Sequence, residues 1–280
     1  MLTEQRDQQK LSLATDTLSA HSSGVKGRIE NGLLTGTILN RWARIGIKAH
    51  DKSCVFRNLL THINVDSLGE AYKALDGTKA LGVDSISKTE YGKRLKENLK
   101  DLVNKIHKGT YRPQPKREVL IPKATGKTRP IAIACFEDKL VDWVVGKILT
   151  QVFEPLFIKS SFGYRPNKSA EQAIEACYYS LCKNERKQVV EIDFSNFFNT
   201  IPHKKLMRII GKRISDNRFK GLIGRFMKGD LISSEGEKLP SELGTPQGSI
   251  MSPVLANIYL NEVIDQWFMK NYGSYSNIIV

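Results

Sequence analysis

The chain has little cysteine: Cys54, Cys135, Cys177 and Cys182 are the four in 280 residues. No Cys-x-x-Cys pair occurs, and Cys177 and Cys182 have no second pair of ligands beside them. Neither a disulfide scaffold nor a structural zinc site is expected, and the thiols read as reduced, mostly core residues of a cytoplasmic protein. A long apolar run is also missing. The most apolar stretch, 141–158, carries Asp142, Lys147 and Glu154, whereas a membrane span needs roughly 20 nearly uncharged residues. The first ten residues, MLTEQRDQQK, are polar from the third onward and do not read as a secretory signal. No repeat at solenoid periods is visible. Acid is scarce: 29 Asp+Glu face 43 Lys+Arg, a net charge of +14. That imbalance is silent about fold but predicts attraction to polyanions, nucleic acid first and an anionic membrane surface second. Hydrophobic residues at 40% and charged residues at 26% exclude a fibre or a disordered tail. The length allows one large domain or two smaller ones, each with a real core.

Periodicity supplies the outline. Residues 1–30 are rich in Ser, Thr, Gln and Gly and read as a frayed start, with a helix expected from near Leu33 to His50. Ser67-Leu68-Gly69-Glu70 has capping-box spacing, and Leu68, Ala71, Tyr72 and Leu75 share one helical face behind it. Ser87-Lys88-Thr89-Glu90 is a second such box. Tyr91, Leu95, Leu99, Leu102 and Ile106 follow at helical spacing, with Gly109 placed as a stop. Arg117–Pro122 and Lys127–Ile133 read as strands around Ala124-Thr125-Gly126, a β-hairpin with cations near its tip. Residues 138–157, 169–183 and 203–228 read as helical, the last very basic. Gln188–Asp193 (QVVEID) reads as a buried strand, 244–248 as a turn and 250–268 as a long helix. Ser276–Val280 starts a strand and stops inside it, so the chain reads as cut short.

Chemistry concentrates in three places. Asp193 ends the apolar run Val189-Val190-Glu191-Ile192 and precedes Phe194, Phe197 and Phe198. A carboxylate at a buried strand end is costly without a partner, so it caps the next turn or holds a metal. Glu191 shares its face by alternation. In the second place, Gly126-Lys127-Thr128 resembles the end of a phosphate-binding loop, but that motif needs glycine where Ile121 stands, and it is rejected. Cations of a hairpin tip remain, Lys123, Lys127 and Arg129. The third is Gly244-Thr245-Pro246-Gln247-Gly248, whose glycines let backbone approach a ligand closely. Basic charge peaks between residues 199 and 230, where nine Lys and Arg face Asp216 and Asp230, half of the whole chain's excess. A solvated face is the ordinary reading of such a stretch; its density suits phosphate backbone.

Taken in order, these blocks resemble the reverse transcriptases of bacterial group II introns. The stretch from Asn64-Val65-Asp66 to Leu81-Gly82-Val83-Asp84 is similar to that family's N-terminal block. Tyr111-Arg112-Pro113, Ile121-Pro122-Lys123 and Thr128-Arg129-Pro130-Ile131 are similar to its first fingers motif, and Ser161-Phe162-Gly163-Tyr164-Arg165-Pro166 with Ser169-Ala170 to its second. Glu191-Ile192-Asp193 to Phe198, with Ile201 and His203, is similar to the palm motif, and Gly244–Leu260 to the next. The resemblance covers roughly residues 52–280.

It implies an α+β right-hand polymerase: residues 1–50 an N-terminal extension, 51–186 mainly fingers with the hairpin at 117–133, and 187–280 a partial palm with an unfinished antiparallel sheet and the basic helical segment 203–228. It implies RNA-directed DNA polymerisation with two Mg2+ ions, an RNA template such as intron RNA, a DNA primer, dNTP and no membrane. Asp193 matches the first catalytic and metal-binding carboxylate, aided by the Phe194 carbonyl. Lys123 and Arg129 match the cations that hold the triphosphate. Phe198 matches the aromatic under the sugar that excludes a 2′ hydroxyl, and Gln247 and Gly248 the loop beside nucleotide and template. Lys204, Lys205, Arg208, Lys212 and Arg213 are the basic helical residues expected to meet nucleic acid. Full-length members also assist intron splicing. Asn199 departs from the family's frequent Asp. No Tyr-x-Asp-Asp occurs in the sequence, and no thumb follows. The 280 residues alone are therefore expected to be inactive, and an RNA-binding fragment, or a retron, phage-defence or CRISPR reverse transcriptase, is the alternative.

Overall fold

The computed structural model describes residues 41–122, 126, 128–183, 188–233, 235–239, 243–245 and 248–273. The expected helix start near Leu33, the strand at 276–280, Lys123 and Gln247 lie outside the described residues.

Helix α1 (Arg41–Ala49) buries Trp42, Ile45 and Ala49, spaced to share one face. Helix α2 (Val65–Ala74) starts earlier than the Ser67 box suggests. Asn64 is the N-cap: its side chain accepts from the Ser67 amide at 3.1 Å, and its own amide donates to Ser67 Oγ at 3.0 Å. Ser67 is thus the third helical residue and fully buried, a polar group tolerated there because its hydroxyl is used in the cap. Ser87 does cap α3 (Lys88–Gly92), accepting from the Glu90 amide. The expected single helix then breaks, because Arg94 leaves the helical region at φ −125°, and α4 (Leu95–Lys108) begins anew. Gly109 ends it at φ +75°, as its position predicted.

The hairpin is present as β1 (Lys116–Pro122) and β2 (Thr128–Ile133), antiparallel, with Arg117 opposite Ile133 and Ile121 opposite Arg129. After it runs α5 (Phe136–Phe153), the centre of the core. Phe136, Leu140, Val141, Val144, Val145, Ile148, Leu149, Val152 and Phe153 are all buried on it, so the apolar face is wide and leaves only a stripe with Lys139 and the exposed Lys147 outside the core. α1, α2 and α3 pack on this helix. Ser169 caps α6 (Ala170–Tyr178) in a reciprocal box with Gln172. A single turn, α7 (Phe197–Thr200), precedes α8 (His203–Gly211). Asp216 splits the expected basic helix in two: one of its oxygens accepts from the Phe219 amide and starts α9 (Asn217–Met227), the other accepts from the Leu60 amide.

Two short strands went unrecognised in the sequence, β3 (Leu231–Ile232) and β4 (Lys238–Leu239). Two residues per strand leave no period to read. They extend the hairpin into a sheet ordered β2-β1-β3-β4, antiparallel except for the parallel join of β1 to β3. Helix α10 (Ser252–Leu260) packs on α5 and α8, and a wide turn at Asn261–Asp265 leads to α11 (Gln266–Tyr272).

Two expectations fail. Residues 188–193 form no strand, and Val189, Val190 and Ile192 are 71%, 82% and 72% exposed. Among the described residues no strand lies beside them, and a strand is stable only when its amides and carbonyls find a ladder. The cysteines are not mostly core: only Cys135 is buried, while Cys177 and Cys182 are exposed on and after the outward α6.

Candidate active site

Asp193 lies on the extended segment 188–195, which turns at Ser195-Asn196 into α7. Asn196 takes φ +56°, a left-handed conformation that asparagine tolerates. The turn is closed by the Asn199 amide on the Asn196 carbonyl at 3.0 Å and by Asn199 Nδ2 donating to Asn196 Oδ1 at 2.8 Å. Behind it Phe197 is the packing hub. Its ring centroid is 6.1 Å from that of Phe194, 6.0 Å from Phe198 and 6.2 Å from Tyr259 of α10.

The Gly244 loop clamps this turn. The Thr245 amide donates to the Phe198 carbonyl at 2.7 Å, the Gly244 amide to the Ile201 carbonyl at 2.9 Å, and His203 Nε2 meets the Gly244 carbonyl at 2.6 Å. Gly244 has φ +81°, and a Cβ there would lie 2.5 Å from Asn199 Cα and 2.6 Å from the Phe198 oxygen. Only glycine fits so close an approach. Gly248 plays the same part against the hairpin: at φ +105°, its Cβ would meet the Ala132 carbonyl of β2 at 2.7 Å. The loop therefore braces the Phe198 turn at one end and β2 at the other.

Between these braced parts opens a cavity of about 870 Å³. It is lined by Thr128, Arg129 and Pro130 of β2, by residues 192–199, and by Leu260. Arg129 of the hairpin motif and Asp193, Phe194 and Phe198 of the palm motif thus share one cavity. Gly248 supports its wall without lining it.

The wall is anchored by a buried polar cluster that went unrecognised in the sequence. Asp142, in the middle of α5, accepts from Ser249 Oγ at 3.0 Å, the Ile250 amide at 2.7 Å and the Met251 amide at 3.0 Å. Burial raises its pKa even though these donors oppose the shift. One turn earlier, Asp138 accepts from the Tyr111 hydroxyl and from the Gln114 amide, the latter at 2.9 Å. Desolvation outweighs those bonds and pushes Asp138 up to about 6. Lys116 Nζ, buried, donates to the Phe226 carbonyl at 3.0 Å. Its pKa falls to about 8 through desolvation, held from falling further by Asp142 and Asp138. Two Asp, 138 and 142, one turn apart on the same face as the apolar residues of α5, were the available signal.

The basic segment separates into different fates. Arg213 is 5% exposed and its two Nη atoms donate to the Asp51 and Ala49 carbonyls, both at 2.8 Å, closing the C-terminus of α1. That engagement takes it off the surface where nucleic acid was expected to meet it. Lys212 pairs with Glu262, and Lys205 Nζ sits 5.5 Å over the Tyr259 ring. Lys204 and Arg208 are exposed on α8.

The donors at the cavity are hard oxygens, the Asp193 carboxylate and the Phe194 carbonyl, of the kind Mg2+ takes when substrate phosphates complete its shell. Among the described residues no cluster of three His, Cys, Asp or Glu side chains converges on one point. Likewise, no described helix is long and apolar enough to cross a membrane.

Comparison with known proteins bears on this geometry. Residues 121–278 match the family described as Reverse transcriptase (RNA-dependent DNA polymerase). Protein YkfC of Escherichia coli (strain K12) is 37% identical over 201 residues, 71% of this chain and 52% of that protein. The Group II intron-encoded protein LtrA of Lactococcus lactis subsp. cremoris is 35% identical over 195 residues, 69% of this chain and 32% of LtrA. The chain thus spans about half the length of one relative and a third of the other. Among solved structures, a partial Cas6-RT-Cas1–Cas2 complex aligns with 74% of this chain and 34% of that chain at a TM-score of 0.47 and 18% identity. With the family match covering more than half of the chain and intron-encoded proteins among its relatives, the chain belongs to the group II intron reverse transcriptase family.

Proposed function

We propose that the cavity between β2 and the Phe198 turn is the dNTP site of an RNA-directed DNA polymerase of the group II intron type. The observation that supports this reading is that Arg129 of the hairpin shares one opening with Asp193, Phe194 and Phe198, a motif over 60 residues further along the chain. In the reaction, a primer 3′ oxygen attacks the α-phosphorus of a dNTP. A new P–O bond forms as the bond to pyrophosphate breaks, and the hydroxyl proton leaves to solvent. Arg129, with Lys123, holds the triphosphate by charge-assisted hydrogen bonds and carries the charge that grows on the leaving oxygens. Phe198, fixed by Thr245 and Gly244, stacks beneath the sugar and denies room to a 2′ hydroxyl. Asp193 and the Phe194 carbonyl would hold Mg2+, which when bound would lower the hydroxyl pKa and stabilise the attacking and leaving oxygens. The template is RNA, intron RNA in the full-length protein, where a splicing role accompanies polymerisation.

A second reading, RNA binding without catalysis, is favoured by one observation: the sequence contains no Tyr-x-Asp-Asp. Residues 1–280 then supply one of the three carboxylates a two-metal site of this family uses. The test is Mg2+-dependent primer extension on an RNA template. The 280 residues alone are expected to extend nothing. An in-frame fusion to a Tyr-x-Asp-Asp and thumb segment from a full-length reverse transcriptase of this family is expected to extend the primer, and Asp193→Ala in that fusion to abolish extension. Extension that survives Asp193→Ala would overturn the catalytic reading.

A further inference from the structure

A second cavity, of about 710 Å³, opens between α8, α9 and the loop that precedes β1. It shares no lining residue with the cavity at Asp193. Five cations line it: Arg112, Lys204, Lys220, Arg225 and Lys228. The one carboxylate among its lining residues, Asp230, is held by Lys238 at 2.7 Å. Arg225 Nε is fully buried and has no hydrogen-bond partner among the described residues. Burial and the neighbouring Arg112 charge both disfavour the protonated guanidinium of Arg225. Arg112 is itself fixed, since its Nη1 donates to the Gly109 and Tyr111 carbonyls at 2.8 and 2.9 Å.

Such an arrangement costs self-repulsion and desolvation, and the one carboxylate lining the cavity, Asp230, is already engaged by Lys238. Two backbone features favour an anion. His203 and Lys204, the first residues of the nine-residue α8, line the opening, and their N-cap, Pro202, makes no side-chain capping bond. The positive end of that helix therefore faces the cations' own cavity. The opposing negative end of α9 also borders the cavity and is muted in part, because one of its carbonyls, that of Phe226, already accepts from Lys116.

We propose that this groove seats backbone phosphates of a bound RNA strand, with one phosphate between Arg112 and Arg225. The shared chemistry is the phosphate group. A strand fits better than a free anion because the cations come from three separate segments around a cavity far larger than one phosphate. The inference rests on nucleic acid being the substrate class, but not on the chemistry at Asp193.

The test is fluorescence anisotropy with a labelled single-stranded RNA and the 280-residue chain, without metal or dNTP, across a KCl series. Arg112→Gln/Arg225→Gln is expected to bind about tenfold more weakly at low salt. Its slope of log K against log salt should fall by about 0.7, the share of the one phosphate that the two arginines hold between them. Arg225 is half-buried, so Lys204→Gln/Lys220→Gln serves as a second pair that leaves the core alone and is expected to shift slope and affinity the same way. Lys96→Gln/Lys100→Gln, on the exposed face of α4, removes equal charge and is expected to leave the slope unchanged. Groove pairs indistinguishable from that control overturn the proposal. So does a thermal shift from inorganic phosphate that vanishes in the groove variants while their RNA binding stays intact, because the site then takes a free anion. A wild-type chain that binds no RNA sinks the shared premise, whereas intact RNA binding in the groove variants sinks only this site.

Discussion

Asp142 sits in the middle of α5 with three donors on its carboxylate, fully enclosed, while Asp193 sits on a segment with no ladder beside it and its apolar neighbours Val190 and Ile192 open to solvent. The first carboxylate organises the chain: it joins α5 to the loop that starts α10 and so sets where the Gly248 brace meets β2. Among the described residues the second has no such duty, which is what a group needs if a metal and a substrate are to claim it. The two regions meet through the Gly244 loop, so the precision of the exposed region is borrowed from the buried one. On the proposed reading, the difference separates positioning residues, whose loss should unfold the frame, from a residue whose loss should leave a folded and inert protein.

The largest effect expected is at Asp193. In the completed fusion, Asp193→Ala should lower primer extension at least about a thousandfold, since metal charge stabilisation supplies several kcal/mol and each 1.4 kcal/mol is about a decade. Its thermal midpoint should hardly move. Asp142→Ala should do the reverse, costing about 3–5 kcal/mol in urea unfolding, because Ser249 and Met251 are left with buried, unpaired donors and Ile250 with a partly buried one. Equal destabilisation by both variants would erase the distinction between the two regions.

The borrowed precision can be tested at its link. Gly244→Ala must place a methyl group within 2.6 Å of the Phe198–Asn199 backbone at φ +81°. A loss of about 3 kcal/mol is expected from clash and strain together, and Phe198 should be displaced, weakening discrimination between dNTP and NTP in the fusion. Discrimination that survives the substitution would show that the loop does not hold the ring in place.

Sequence periodicity carried the helices, the hairpin and the stop at Gly109, because these rest on local pattern. It misjudged residues 188–193 because an apolar, β-rich run says only that a strand forms where a partner exists. It misplaced the α2 cap because Asn64 and Ser67 both satisfy the capping chemistry and only burial decides between them. In the site, Asp193, Arg129 and Phe198 were legible as motif residues. That Arg213 closes α1 instead of facing solvent was not, since its partners Ala49 and Asp51 lie over 160 residues away. The Lys116, Asp138 and Asp142 cluster was hidden for the same reason: its members look like isolated charges until the fold buries them together.

That cluster makes a pH prediction. Asp138 is pushed from 3.8 to about 6 in the folded protein. The folded state therefore holds its proton more tightly than the unfolded chain, and the contribution favours folding below pH 3.8 and is lost as pH rises through about 6. Urea unfolding should show this group costing about 2–3 kcal/mol between pH 4 and pH 7. Asp138→Asn should flatten that part of the profile. Lys116 works in the opposite sense, since its folded value of about 8 lies below the ordinary 10.5, so it adds stability as pH climbs from 8 to 10.5. A profile unchanged by Asp138→Asn would mean that the carboxylate titrates as it does in the unfolded chain.

The smallest effect belongs to the exposed region itself. Asn199 stands where relatives of this family often carry Asp, and its amide explains the exchange locally: Nδ2 donates to Asn196 Oδ1 across the turn that presents Phe198. A carboxylate at this position has no hydrogen to donate and would set two oxygens against each other, unless Asn196 rotates its own amide to become the donor. Rotation is open to a side chain at the surface, so Asn199→Asp should cost only about 0.5–1 kcal/mol. Asn196→Ala combined with Asn199→Asp should then cost more than Asn196→Ala does in the native chain, because the rotated amide would be the one remaining donor. Additive costs in this double-mutant cycle would show that the turn is held by its backbone bond and the Gly244 clamp alone, and the exposed region would owe even its local shape to the buried one.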